Sequence, residues 1–248
     1  NGDQSGGNRY SAWLPVIGGR WQLSPQTQAF ASVGRGLETP TLNEAAYSIG
    51  GDAGFNTALN AARSLQTEIG LRGRNGSGLW NATLFDIRTD EEIVVQNNTG
   101  GRSTFQNAGR TKRQGLELAA EYGLGNVTLT SAYTYMRARY LDGFRTCAVA
   151  QCPNVNPQVL VPAGNRMPGL PQQQVFAQLA WAPAAAAGIG GVFTLEARHT
   201  GRVFDNDINS DSAAGHTLLG IGARFEQTTG AWTWREFVRI DNLTDRKH

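Results

Sequence analysis

Three sets of side chains in this chain could do chemistry. Cys147 and Cys152 are its two thiols and lie close in sequence. They could close a short disulfide or donate sulfur to a metal. A metal needs further ligands, and the three His residues (His199, His216, His248) are scattered without ligand spacing. The run Asp205-Asn206-Asp207-Ile208-Asn209-Ser210-Asp211 alternates oxygen donors as a calcium loop does. Its sixth position is Ser210 rather than Gly and its twelfth is His216 rather than Glu, so a solvated acidic loop is the competing reading. The third set is arginine: Arg35, Arg102, Arg113, Arg166, Arg198 and Arg202, with Phe105. Guanidinium groups beside aromatic rings suit an anionic, chelated or flat organic ligand, and pairing with wall carboxylates is the alternative. Nothing points to catalysis. No Ser-His-Asp order, pair of acids in one cleft or phosphate loop is present, so no enzyme, resident cofactor or metal site is expected.

Composition narrows the partners. Net charge is +2, which gives no footprint for nucleic acid. Hydrophobic residues make up 40% of the chain and mean hydropathy is −0.35. No apolar run approaches the ~20 residues of a spanning helix. A membrane β-barrel alternates lipid-facing and lumen-facing residues and can be hydrophilic on average, so the pattern must decide.

That pattern is a rhythm. Strand-like stretches are predicted over 10–23, 27–33, 65–73, 79–95, 104–122, 127–140, 174–181, 192–202, 216–225 and 231–243. Apolar residues alternate with polar ones in most of them: Leu65, Ile69 and Leu71 against Gln66, Glu68 and Arg72; Leu195 and Ala197 against Glu196 and Arg198. Parity is ambiguous over 79–95, where Phe85 and Ile87 oppose Trp80 and Leu84, and Glu236 breaks the last face. Short gaps alternate with long ones. Trp21, Trp80, Tyr122, Trp181, Trp232 and Trp234 all stand beside short gaps. Short turns at one end, long loops at the other and an aromatic girdle describe an all-β antiparallel transmembrane barrel of the outer membrane. A passive channel or barrel enzyme of that membrane, or a soluble all-β module such as a lectin, are the rival classes; the latter leaves the girdle unexplained.

Parity places the arginines. Arg113, Arg198 and Arg202 fall on the lumen parity near the long loops, Phe105 shares the parity of Arg113, and Arg166 enters the next strand on it. Arg35 and Arg102 are read as loop residues. Arg137 and Arg139 continue the lipid-facing parity of Tyr133 and Tyr135 beyond the apolar band, where Arg could meet lipopolysaccharide phosphates. Glu68 and Glu117 point inward in the short-turn half.

Five segments resemble the C-terminal barrel of TonB-dependent outer-membrane receptors. They are RGLETPTLNE (35–44), SLQTEIGLRG (64–73), NAGRTKRQGLELAAEY (107–122), GNRMPGLP (164–171) and RIDNLTDRKH (239–248), in the family's order. The last departs from the family pattern: Thr244 replaces the usual aromatic, and His248 stands where Tyr is common.

The resemblance implies a receptor in the bacterial outer membrane, with about ten strands here of a plugged barrel of about 22. Residues 1–248 are then the C-terminal barrel portion, the plug and the closing strand are expected outside it, and the working protein is expected to be longer. Cargo would be a ferric siderophore, with pyrroloquinoline quinone, cobalamin, haem or copper as alternatives. The expected partners are the TonB complex through the plug, outer-membrane lipid and lipopolysaccharide, and a metal-chelate or cofactor ligand, the receptor itself being monomeric. The long loops become extracellular, where an oxidising setting favours a Cys147–Cys152 disulfide. Glu68 and Glu117 would face the plug.

Overall fold

The computed structural model describes residues 6–48, 54–99, 102–147, 159–185 and 189–247. The described residues contain no helix and form sixteen strands. These are β1 (Val16–Ser24), β2 (Thr27–Glu38), β3 (Ala62–Asn75), β4 (Gly78–Asp90), β5 (Ile93–Thr99), β6 (Arg102–Asn107), β7 (Thr111–Leu124), β8 (Val127–Tyr140), β9 (Phe144–Thr146), β10 (Val159–Val161), β11 (Gln173–Trp181), β12 (Ile189–Thr200), β13 (Val203–Phe204), β14 (Ser212–Ala213), β15 (His216–Thr229) and β16 (Trp232–Ile240).

Ten of them form one antiparallel sheet in the order β1-β2-β3-β4-β7-β8-β11-β12-β15-β16. These are the ten long strands the sequence predicts. The other six form three two-stranded sheets in the long connections. The predicted strands over 79–95 and 104–122 each break in two, so that β5 and β6 pair with each other above the sheet. Glu91 (φ 61°) and Gly109 (φ 81°) take left-handed backbone at those breaks and turn the chain out of the wall. β1 starts later than predicted, just after Pro15, and β2 runs on to Glu38, so Arg35 lies in a strand and not in a loop.

Tight turns join strands at one end. Gly76, Gly125 and Gly230 hold the first central position of two-residue turns, with φ of 58°, 61° and 61°. The residue after each is not left-handed, which is the II′ pattern that matches strand twist. At the first turn, the Ser24 hydroxyl accepts the backbone N–H groups of Gln26 and Thr27 at 3.2 and 3.1 Å.

Register assigns the two faces. One cross-strand row reads Ala31, Ile69, Leu84, Leu116, Tyr135, and another Leu129, Leu179, Leu195, Ile221, Ile240. Most of these large apolar side chains are exposed, and all six girdle aromatics lie on their face. Glu236 also lies on this face, opposite Phe225, where Gln227 donates to it at 3.5 Å. The ambiguous parity of 79–95 is resolved: Trp80 and Leu84 lie on the apolar face, Phe85 and Ile87 on the other. Phe85 and Phe30 lie over Gly115 and Gly70, where a Cβ would strike the ring and a neighbouring backbone carbonyl. The main buried cluster sits among the long connections instead: Val94, Ala108, Ala138, Tyr140, Val161 and Met167. A sheet whose apolar face is exposed, with its buried core in the loops, fits a lipid-facing wall.

Candidate functional site

The long-loop end gathers the chemistry. The pairs β5–β6, β9–β10 and β13–β14 meet there, with Val94 and Val161 in one buried cluster and Phe144 and Ile208 packed against it. β5 joins β9 through Thr146, whose hydroxyl donates to the Gln96 carbonyl at 3.2 Å, and through the Cys147 N–H, which donates to the same carbonyl at 3.0 Å. Cys147 is disulfide-bonded; Cys152 lies outside the described residues.

The 205–211 loop is held by its own polar groups. Asn206 and Ser210 bond each other through side chain and backbone at 2.9 and 3.1 Å. Asn209 clamps Arg166 from both sides, accepting its N–H and donating to its carbonyl, each at 2.8 Å. The Tyr140 hydroxyl donates to Asp207 Oδ1 at 2.6 Å. Burial raises the Asp207 pKa, and the Tyr140 hydrogen bond partly offsets this. Among the described residues no group of three or more His, Cys, Asp or Glu side chains converges as a metal site would require. A cavity of about 430 Å³ lies between these loops, lined among others by Glu92, Asn98, Tyr140, Met167 and Asp207.

The predicted arginines separate into three environments. Arg113 and Arg198 lie on the inner face, and both are ion-paired. Arg113 reaches Glu92 at 2.7 and 3.2 Å, beside Thr89 and Thr111. Arg198 reaches Glu196 at 2.7 Å and lies over Phe176. Arg102 and Arg202 stand in the loop layer. Arg102 opens β6, where a loop residue is predicted, and lies 5.2 Å from the Tyr47 ring centroid. Arg202 lies 5.2 Å from the Phe204 ring centroid.

Arg35 and Arg166 stand on the apolar-face side. Arg35 pairs opposite Leu65. Arg166, predicted on the lumen parity, instead pairs opposite Arg139 in an isolated bridge. The chain re-enters at β11 only from Gln173, so parity counted back from that strand does not reach Arg166. Arg166 also lies 5.2 Å from the Phe204 centroid, and its pKa is lowered by burial, then by the charges of Arg202 and Arg139.

Phe105 belongs to the β5–β6 hairpin, so it does not share a wall face with Arg113; its carbonyl accepts from Asn56 at 3.2 Å. Glu68 and Glu117 lie on the inner face, opposite Phe85 and Thr83, and Gln66 donates to Glu68 at 2.6 Å. Arg137 and Arg139 are exposed on the outer face. Sequence reading missed Glu92, Tyr140, Tyr47 and Phe204, whose roles depend on contacts between separate loops. The run Asp90-Glu91-Glu92 was the one local cue, because three acids in a row do not belong in a membrane wall.

The family profile described as TonB dependent receptor-like, beta-barrel matches residues 1–243. Solved structures agree in fold. BauA, the ferric preacinetobactin receptor from Acinetobacter baumannii, is similar at TM-score 0.67 and 17% identity, over 94% of this chain and 32% of that one. The ferric yersiniabactin uptake receptor FyuA from Yersinia pestis gives 0.62 and 14%, over 92% and 37%. The copper transporter OprC gives 0.67 and 14%, over 93% and 33%. The chain therefore spans about a third of the length of these proteins. With the family profile matching nearly its full length and the wall, girdle and long-loop layer in place, the chain belongs to the TonB-dependent receptor-like β-barrel family.

Proposed function

We propose that this chain is the C-terminal barrel portion of an outer-membrane receptor that imports a ferric siderophore into the periplasm, driven by TonB. The observation that carries the cargo class is the pairing of cations with rings at the long-loop end: Arg102 with Tyr47 and Arg202 with Phe204. Such pairs suit an anionic chelate with flat groups. BauA and FyuA carry ferric siderophores by name, which supports the same reading.

In this reading the long loops are extracellular. Cys147 pairs with Cys152 to pin one of them. Arg113 and Arg198 shape the lumen through ion pairs, and Phe105 lines the loop layer. Glu68 and Glu117 face a plug domain that contacts TonB. Among the described residues β1 and β16 are the outer strands of the ten-stranded sheet, and in lipid their outer edges need strand partners.

Copper is the second reading, favoured by the likeness to OprC. Growth of a strain lacking the receptor tests both: it is predicted to fail on at least one ferric siderophore as sole iron source and to recover with the intact gene. Normal growth on every iron source, with loss of copper accumulation, favours the second reading.

A further inference from the structure

We propose that Glu236, with Trp234 and Phe225, binds the ammonium group of an aminophospholipid, phosphatidylethanolamine, in the leaflet at the short-turn end of the wall. This rests on the outer-membrane reading above and places the site at the opposite end of the wall from the long-loop layer.

Glu236 interrupts the apolar residues of β16, yet register keeps it on the apolar face. It stands opposite Phe225, between Trp234 and Val238 on its own strand. Val238 continues the cross-strand row of Trp181, Phe193 and Ala223. Glu236 is therefore one step nearer the turns than Trp181, with Trp234 and Trp232 beyond it, at the level of the girdle. Same-face neighbours along a strand are about 6.8 Å apart, and directly opposite residues about 5 Å apart at Cβ. One small cation can touch the carboxylate and both rings.

Among the described residues, Glu236 is the one charged side chain on this half of the outer face. The others on that face, Asp86, Arg88, Lys112, Arg137 and Arg139 among them, lie towards the long loops. Glu121 and Glu226, at the same end of the wall, lie on the inner face, and Glu226 is paired with Arg235 at 2.7 Å. Glu236 is exposed and has no ion pair among the described residues; its one polar partner there is Gln227 Nε2 at 3.5 Å.

A carboxylate at headgroup level faces phosphates of like charge, which repel it. An ammonium group there reverses the sign. Aromatic faces attract the same cation, and more strongly where water is excluded. The Gln227 amide puts an N–H donor beside the carboxylate, which suits the phosphate adjoining the ammonium in this headgroup. An acceptor next to a donor thus matches a zwitterion, whereas phosphatidylglycerol offers no cation. The acyl chains then run over Val238, Ile240 and Ile221, the next apolar residues on the face. A soluble amine would gain nothing from that surface.

The test uses the intact receptor, stripped of lipid in detergent, with native mass spectrometry of competitive titrations. The probes are phosphatidylethanolamine, phosphatidylglycerol with the same acyl chains, and soluble glycerophosphoethanolamine. Phosphatidylethanolamine is expected to bind about tenfold more tightly than either of the others. Glu236→Gln is expected to abolish the preference over phosphatidylglycerol, and Trp234→Leu to reduce it about threefold. Glu121→Gln removes the same charge at the same end of the wall on the inner face, and is expected to bind as wild type. Equal binding of the two phospholipids by the wild-type receptor overturns the proposal. So does an undiminished preference in Glu236→Gln, an equal loss in Glu121→Gln, or glycerophosphoethanolamine binding as tightly as the phospholipid. If Glu236→Gln does not fold, the three probes on the wild-type receptor still decide. Fractionation of the receptor away from the outer membrane would overturn the underlying reading instead, and is scored separately.

Discussion

Arg239 on β16 reaches across β15 to donate to Glu196 on β12 at 2.8 Å. The strand between them carries Gly220 opposite Glu196 and Gly222 opposite Arg239, so no side chain blocks the path. Glu196 is nearly buried and also accepts from Arg198 at 2.7 Å and Gln178 at 3.2 Å. One carboxylate thus ties three strands together on the lumen face. A Cβ at Gly222 would come 2.7 Å from the Thr194 hydroxyl oxygen. Gly222→Val is expected to destabilise the barrel by about 1–3 kcal/mol through overpacking. Glu196→Gln is expected to lower the urea midpoint of unfolding as well, read by tryptophan fluorescence of the girdle.

The Tyr140 hydroxyl is the one hydrogen-bond donor described at the half-buried Asp207 carboxylate. Tyr140→Phe leaves that carboxylate unsatisfied, at a cost of about 1–3 kcal/mol to the local fold. Faster amide exchange is expected across 203–213, with little change in β12. Because burial raises the Asp207 pKa, the loop is most stable when Asp207 is protonated. That stability falls as pH rises from the ordinary carboxylate pKa through the raised folded value. Asp207→Asn is expected to remove this dependence.

Asp142 gives the opposite sign. Its pKa is lowered to about 2, first by the Arg110 guanidinium hydrogen bond and then by the Arg110 backbone N–H. The contacts measure 2.8 and 2.9 Å to the side chain and 2.9 Å to the backbone. The tether between the β6–β7 and β8–β9 connections is expected to hold above the ordinary carboxylate range and to loosen as pH falls toward that value. Both side chains are solvent-accessible, so the effect is local: Asp142→Asn is expected to speed exchange of the Arg110 amide without moving the global midpoint.

Gly115 lets the Phe85 ring and the Tyr135 carbonyl approach its backbone on the inner face. Gly115→Val is expected to cost about 1–3 kcal/mol by displacing that ring. Gly125→Ala is expected to weaken the β7–β8 turn, because φ of 61° disfavours any side chain. Refolding yield into lipid vesicles, read by heat-modifiable migration, separates these from wild type.

The wall was legible in the sequence because alternation and girdle are both local signals. Leu65, Ile69 and Leu71 could be read as one face without any partner strand. The β5–β6 hairpin was not read as a separate element, because the strand-like stretches over 79–95 and 104–122 run through Asp90 and Ala108, and the acids at 90–92 mark the break without showing that the chain pairs with itself outside the sheet. Arg166 was misplaced for a related reason: its face is set by Arg139, a residue 27 positions earlier that only register brings opposite it. The polar latch of Tyr140 on Asp207 joins residues 67 apart, and nothing in either neighbourhood marks it. The purpose of Gly220 and Gly222 emerges only from register, when Arg239 crosses over them to Glu196.

The central claim is import that depends on TonB. Its most direct test is uptake of radioactive iron, supplied as individual ferric siderophores, by cells carrying the intact receptor, with and without a functional TonB. Saturable uptake of at least one ferric siderophore is expected, and it is expected to disappear without TonB. Uptake that persists unchanged without TonB, or passive conductance of the purified receptor in planar bilayers, would contradict it.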